Sequence, residues 1–272
     1  MQNTVHFGLE GRVVVVTGGA QGIGEACARR LVQDGAAVAV WDLADAAGLA
    51  LVAALQAQGA RALYCRCNVA RKADVDAALA ATQAALGPVD GLVNNAGIFK
   101  AAEFLDITED DWDAVIAVNL KGSFLVGQAV ARAMVDNPAL PGRGRGAIVN
   151  MSSVNGTLAI ASIASYNASK GAINQLTRVM ALSLADRSVR VNAVAPGTIA
   201  TELARRAVLT SEEARARILS RTPLRRLGEP AEIADTVAYL LSDAASYITG
   251  EIVVVDGGRM ALNYTVPLQE SP

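Results

Sequence analysis

The sequence predicts an α/β protein: a doubly wound parallel sheet of about seven strands with helices on both faces. Three observations predict it. Short β-branched apolar runs without polar alternation recur along the chain, the pattern of strands buried on both faces. Longer helix-patterned segments separate them in β-α-β-α order, which right-handed crossovers turn into a parallel sheet. Glycines stop the early helices, at Gly35, Gly59 and Gly87.

Residues 12–17 (RVVVVT) form the first such run, and a helical stretch over 22–34 follows. Then come a strand over 37–41, a helix over 45–58, a strand over 61–66, a helix over 71–86 and a strand over 91–93. A long helix is expected over 111–135, then a Pro- and Gly-rich loop over 137–146 (NPALPGRGRG). Strands at 147–151, 189–193 and 252–255 alternate with helices at 165–184, 202–220 and 231–241. No composition break, linker or internal repeat divides the chain. The expectation is one domain over 1–258, with a tail over 259–272 docked on a neighbouring subunit.

About half of the 272 residues are apolar, and the net charge is −2. That balance argues against nucleic-acid or anionic-membrane partners, which need a concentrated basic surface. No apolar run approaches the roughly 20 residues that cross a bilayer. The first ten residues lack the basic and apolar stretches of a secretory signal, so a cytoplasmic location is expected. Cys27, Cys65 and Cys67 make a poor disulfide framework, and with His6 the lone histidine, no metal site is expected. Acid–base chemistry must then fall to Tyr, Lys, Asp, Glu or Cys.

The first strand runs straight into Thr17-Gly18-Gly19-Ala20-Gln21-Gly22-Ile23-Gly24. A glycine-rich strand-to-helix turn lets the backbone approach a pyrophosphate at a helix N-terminus, although such a turn also occurs without a ligand. The spacing departs from G-x-G-x-x-G, since Cys27 stands where the last small residue would fall, and no G-K-[ST] follows. Asp42 ends the second strand, 18 residues beyond Gly24, where a carboxylate receives ribose hydroxyls. It would repel a 2′-phosphate, with no Lys or Arg inside the turn or just after Asp42 to offset this, so the cofactor expected is NAD. The plainer alternative is that Asp42 caps the next helix.

Tyr166-Asn167-Ala168-Ser169-Lys170 places a phenol and an ammonium on one helix face. A phenol with a reference pKa of about 10 is a poor base at neutral pH, and a nearby cation is expected to lower it. A shift of about three units needs roughly 4 kcal/mol, which a partly buried lysine and a cationic nicotinamide jointly supply. Many helices contain Tyr-x-x-x-Lys by chance, so the pair gains weight only from its companions.

Taken in order, the Thr17–Gly24 turn, Asn94-Asn95-Ala96-Gly97, Asn119, Ser153, Tyr166 with Lys170, Pro196-Gly197 and Val255-Asp256-Gly257-Gly258 resemble the short-chain dehydrogenase/reductase family, in its shorter single-domain subtype with a Rossmann-type sheet. The likeness covers residues 9–258. It implies hydride transfer between NAD(H) and a secondary alcohol or ketone, with Tyr166 as general acid/base. Ser153, thirteen residues earlier, would bond the substrate oxygen, with Ser152 the competing candidate. Lys170 would hold the nicotinamide ribose, and the Asn119 backbone would hold a water linking Lys170 to solvent. The plainer role of Asn119, a polar residue that distorts its helix locally, is compatible with this.

Beside Tyr166 and Lys170, the implied cofactor residues are Gly18, Gln21, Gly22, Ile23, Gly24, Asp42, Leu43, Asn68, Val69, Asn95, Ala96, Gly97, Pro196, Gly197, Ile199 and Thr201. Asn68-Val69 departs from the usual Asp-Val, but an amide still accepts from an adenine amino group. Ser153, Asn155 and Tyr166 are the expected substrate contacts, with Leu158, Ile160 and Ile163 shaping the wall. The segment 201–226, containing Leu203, Arg205, Arg206 and Leu209, would cover the substrate. Either one of its arginines meets an anionic group, or it is a solvated helix face balanced by Glu212 and Glu213. Apolar residues on more than one face of the helices around 124–135 and 172–184 suggest burial beyond the sheet, and because similar proteins pair these helices into dimers and tetramers, the resemblance implies a homotetramer. Two other functions stay open at this point: a nucleotide-sugar isomerase, usually larger beyond the Tyr-x-x-x-Lys helix, and a non-catalytic NAD-binding sensor or scaffold.

Overall fold

The computed structural model describes residues 5–138, 144–202, 204 and 211–263. Among them seven strands form one parallel sheet: β1 Val13–Thr17, β2 Ala37–Asp42, β3 Ala62–Arg66, β4 Gly91–Asn94, β5 Gly146–Met151, β6 Val189–Pro196 and β7 Ile252–Val255. Their order is β3-β2-β1-β4-β5-β6-β7. The fold is the doubly wound parallel sheet that the strand pattern predicts.

Side chains of period two divide β1 between the two faces. Val14 and Val16 pack with α1 (Gly22–Gln33), α2 (Asp45–Gln56) and α8 (Pro230–Leu241). Val13 and Val15 pack with α3 (Lys72–Leu86), α5 (Ser123–Val135) and α6 (Ala164–Leu184). All three cysteines are buried and free, and burial pushes the Cys27 and Cys67 thiols up to about 12, so they are inert.

The long helix expected over 111–135 is three pieces: α4 (Glu109–Val115), a π-helical turn (Ile116–Gly122) and α5. Thr108 starts it, its hydroxyl accepting from Asp111 N at 3.1 Å. The distortion falls on Asn119, whose side chain bonds both backbone groups of Ile98. A second correction concerns the same stretch. Read as one helical run, Glu109–Val135 is by length and composition long and apolar enough to cross a bilayer, contrary to the expectation from contiguous apolar runs. Its Val115, Val126, Val130 and Met134 are fully buried within the fold.

Within 202–220 the described helix is α7 (Glu212–Leu219), capped by the Ser211 hydroxyl. Leu203, Arg205, Arg206 and Leu209 lie outside the described residues, as do 139–143 of the expected loop and 264–272 of the expected tail. Arg259–Ala261, where that tail was expected to begin, forms a 3-10 turn.

The order reverses where β1 meets β4, and a cleft opens there beyond the carboxyl ends of the strands. Thr17 pairs with Asn94, and Asn94 with Asn150, so a polar row closes the sheet at the cleft floor. Asn94 Nδ2 donates to Asn150 Oδ1 and to Ser123 O, and Asn150 Nδ2 donates to Thr177 Oγ1. These bonds tie the strand ends to α5 and α6.

Candidate active site

The glycine turn is shaped by sterics. Gly18 and Gly22 have φ of 59° and 58°, a region costly for other residues. A Cβ on Gly24 would stand 2.1 Å from Gly18 O, so α1 can start against the turn only with glycine there. Gln21, at the N-cap of α1, makes no side-chain cap bond. The first amides of α1 therefore have no side-chain acceptor from their own cap residue, which fits a bound anion.

Thr17 braces the turn from below, its hydroxyl accepting from Asn95 N at 2.9 Å and Ala96 N at 3.0 Å. The Asn95 side chain donates to Thr17 O and Gly18 O. Thr17 was legible as the end of a strand and the start of the glycine turn, and its bracing role comes from pairing β1 with β4.

Asp42 clamps the same turn to the end of β2. Its Oδ2 accepts from Ala20 N at 3.0 Å, and its Oδ1 from Leu43 N at 2.7 Å and Ala44 N at 3.0 Å. It is not the cap of α2, which is Ala44. Gly18, Gln21, Gly22, Ile23, Asp42, Leu43, Asn68, Val69, Asn95, Ala96, Gly97 and Thr201 together line one groove of about 330 Å³. The Asn68 Oδ1 already accepts from Ala70 N at 3.1 Å. Arg66, paired in register with Asp42, is a cation near this end that sequence spacing did not reveal. It is engaged with Asp45 at 2.5 Å and with Leu43 O.

The groove continues through Ile23, Asn95, Gly97, Ile98 and Thr201 into a cleft of about 400 Å³. Ser153, Asn155, Tyr166, Lys170, Pro196, Gly197 and Ile199 line that cleft, with Ile160 and Ile163 on its wall. Leu158 is not among its lining. Gly24 and Asn119 line neither space and act from behind. Asn119 is buried and also donates to Ser169 Oγ, fastening α6 to the Ile98 loop, while its own carbonyl accepts from Ser123 Oγ at 2.7 Å.

The two serines separate cleanly. Ser152 also lines the cleft, but its Oγ donates to Asn174 Oδ1 at 2.6 Å. Ser153 stands close enough to Tyr166 to oppose the rise of the phenol, and its Oγ accepts from Asn155 N at 3.1 Å, capping a short 3-10 turn. Asn155 Oδ1 is a buried acceptor without a partner on the cleft wall. Phe99 packs edge-on against Tyr166, with ring centroids 5.6 Å apart.

Lys170 corrects an expectation. Its Nζ donates to Met151 O at 2.7 Å and lies over the Tyr166 ring, 5.6 Å from the centroid. The ammonium is thus drawn to a backbone carbonyl over the ring face. Burial lowers its pKa to about 8. Burial also raises the Tyr166 phenol above its usual value, opposed by nearby Ser153, where the sequence predicts a lowering by the lysine and a bound nicotinamide together. Desolvation outweighs the cation here because no bond joins Nζ to the hydroxyl.

What the arrangement can do is hold a protonated phenol, a serine hydroxyl and an ammonium around one small oxygen-bearing group. Beside it lies a groove whose glycine cradle suits a dinucleotide.

Comparison with known proteins agrees. The family model described as Enoyl-(Acyl carrier protein) reductase matches residues 18–260. The 2-(S)-hydroxypropyl-CoM dehydrogenase 3 of Xanthobacter autotrophicus is 40% identical over 257 residues, covering 93% of this chain and 98% of that protein. The 5-keto-D-gluconate 5-reductase of Escherichia coli is 39% identical over 255 residues, covering 93% and 97%. The crystal structure of a short-chain type dehydrogenase/reductase from Mycobacterium marinum superposes with a TM-score of 0.87 at 35% identity, covering 94% of this chain and 98% of that one. With its sheet order, its cleft and these relatives in agreement, the chain belongs to the short-chain dehydrogenase/reductase family of oxidoreductases.

Proposed function

We propose that this chain interconverts a secondary alcohol and a ketone with NAD(H), using Tyr166 as general acid/base. One observation carries the reading: Ser153, Tyr166 and Lys170 converge on a cleft continuous with the glycine-turn groove. Bound there, the dinucleotide supplies the site that accepts or donates the hydride. Gly18 to Gly24 would hold its pyrophosphate, Asp42 its adenosine ribose, and Pro196, Gly197, Ile199 and Thr201 its nicotinamide end. Ser153 donates to the substrate oxygen and fixes it beside the phenol. Tyr166 gives its proton to a ketone oxygen or takes one from an alcohol. The raised phenol suits the donor role, and alcohol oxidation gains from the positive charge brought by oxidised nicotinamide. Lys170 orients the ribose and carries the proton onward.

The Asp42 carboxylate at the groove end supports NAD over NADP. The reactive unit spans 1–258 with the following turn that carries Arg259, and it acts in the cytoplasm as a homotetramer. Support for association comes from an apolar groove between α5 and α6, lined by Phe124, Gly127, Ala131, Val179 and Met180, with Phe124 and Val179 exposed. The names of the two curated relatives fit a small hydroxyl or keto substrate.

The test is a panel of secondary alcohols and keto acids assayed by nicotinamide absorbance with NAD and NADP separately. Tyr166→Phe should cut turnover by about 10²-fold or more with NADH binding retained. Full activity in that variant refutes the assignment of the base.

A further inference from the structure

The cleft that holds Tyr166 is apolar over most of its wall, yet Arg217, Arg221 and Arg259 also line it. Arg217 stands on α7, and Arg221 lies four residues on, just past the helix end, with its Nε donating to Arg217 O at 3.2 Å. Arg259 arrives from the other end of the chain, on the 3-10 turn after β7. That turn is fixed by Asp256, whose Oδ1 and Oδ2 accept from Gly258 N at 2.8 Å and Met260 N at 2.6 Å.

Among the described residues none of the three arginines is in an ion pair. Arg29, Arg30, Arg66 and Arg226 each have a carboxylate partner. Glu212 and Glu213 do not neutralise the group: Glu213 is held down by the Ser211 hydroxyl and by backbone, at the far end of α7. Burial lowers the pKa of Arg259, and the charge of Arg221 lowers it further while Asp256 opposes. Two like charges lining one cleft are a standing cost, which a bound oxyanion would remove. Guanidinium groups bind carboxylate, sulfonate and phosphate by paired N–H bonds.

We propose that Arg217, Arg221 and Arg259 form an anion subsite, so that the reacting alcohol or ketone belongs to a small molecule carrying a terminal oxyanion. The substrate part of this statement rests on the oxidoreductase reading above, whereas the anion subsite does not. A cleft of about 400 Å³ accommodates a compact molecule with its anionic end on the arginines and its reacting carbon at Tyr166.

Calorimetric titration of the full-length protein with butyrate, butanesulfonate, butyl phosphate and neutral butyramide tests the subsite without turnover. At least one anion should bind about tenfold or more tightly than butyramide, and which one does so identifies the oxyanion. Arg221→Gln and Arg259→Gln should each cut that affinity about tenfold, leave butyramide unchanged, and together abolish the preference. Arg259→Lys should retain part of it. Equal binding of butyramide and all three anions by the unaltered protein overturns the subsite, as does a preference that survives the double replacement. Selective anion binding by a protein that oxidises or reduces no panel substrate upholds the subsite and overturns the oxidoreductase reading instead.

Discussion

Replacing Lys170 by Met removes a buried ammonium while nearly filling its space. Burial takes this group from the ordinary 10.5 to about 8. Keeping it charged inside the fold therefore costs about 3 kcal/mol, at about 1.4 kcal/mol for each pH unit. The replacement also strips Met151 O of its donor, a loss of about 1–3 kcal/mol. At pH 7 the variant should be more stable by about 1 kcal/mol, the difference of those two effects. The pH dependence is the sharper signature. Because folding lowers this pKa, the unfolded chain holds the proton more tightly between about 8 and 10.5. Wild-type stability relative to the variant is then flat below about pH 8 and rises through that window. Between pH 7 and pH 10 the gain amounts to about 2–3 kcal/mol. Urea unfolding of both proteins at pH 7, 8, 9 and 10, taken as the difference in free energy, measures it without contributions from other titrating groups. A difference that stays flat to pH 10 would refute the burial argument. A difference that falls would show that Lys170 gains a charged partner on folding.

Three further outcomes follow from the same geometry. Asp42→Ser should raise the NADP-to-NAD ratio of kcat/KM by at least about tenfold, because it removes the carboxylate that repels a 2′-phosphate; an unchanged ratio refutes the assignment. Ser153→Ala should lower kcat by about 10-fold to 100-fold, whereas Ser152→Ala should lower stability by about 1 kcal/mol through its Asn174 bond and leave kcat nearly intact. Equal kinetic losses would contradict the separation of the two serines. Phe124→Glu with Val179→Glu should shift the particle to smaller mass by light scattering, and a wild-type protein already monomeric would remove the tetramer proposal.

The two halves of the site were not equally legible. Tyr166 and Lys170 were, because their four-residue spacing on one helix stood in order with the companion motifs of the family, and so was the glycine turn, where chain sterics act between close neighbours. Asp42 was visible as the end of a strand, but its bond to Ala20 N, 22 residues away, was not. The choice between Ser152 and Ser153 rested on spacing until Asn174 was found to occupy the former. Arg259 read as the start of a tail, since nothing in its neighbours reports that β7 delivers it to the cleft.

By itself, then, the sequence determined the strand and helix alternation, the seven-stranded sheet and the residue types at the cleft. The first two follow from side-chain periodicity and from steric limits within a few residues, and the cleft residues follow from the family resemblance. Tertiary structure alone decided where electrostatic balance came to rest. The π-helical turn exists because Asn119 reaches back to Ile98, 21 residues away. The phenol is raised instead of lowered because burial depends on every element packed around Tyr166, while the ammonium meant to offset it is held at Met151 O. Desolvation and long-range pairing are properties of the assembled interior, so no local pattern of residues encodes them.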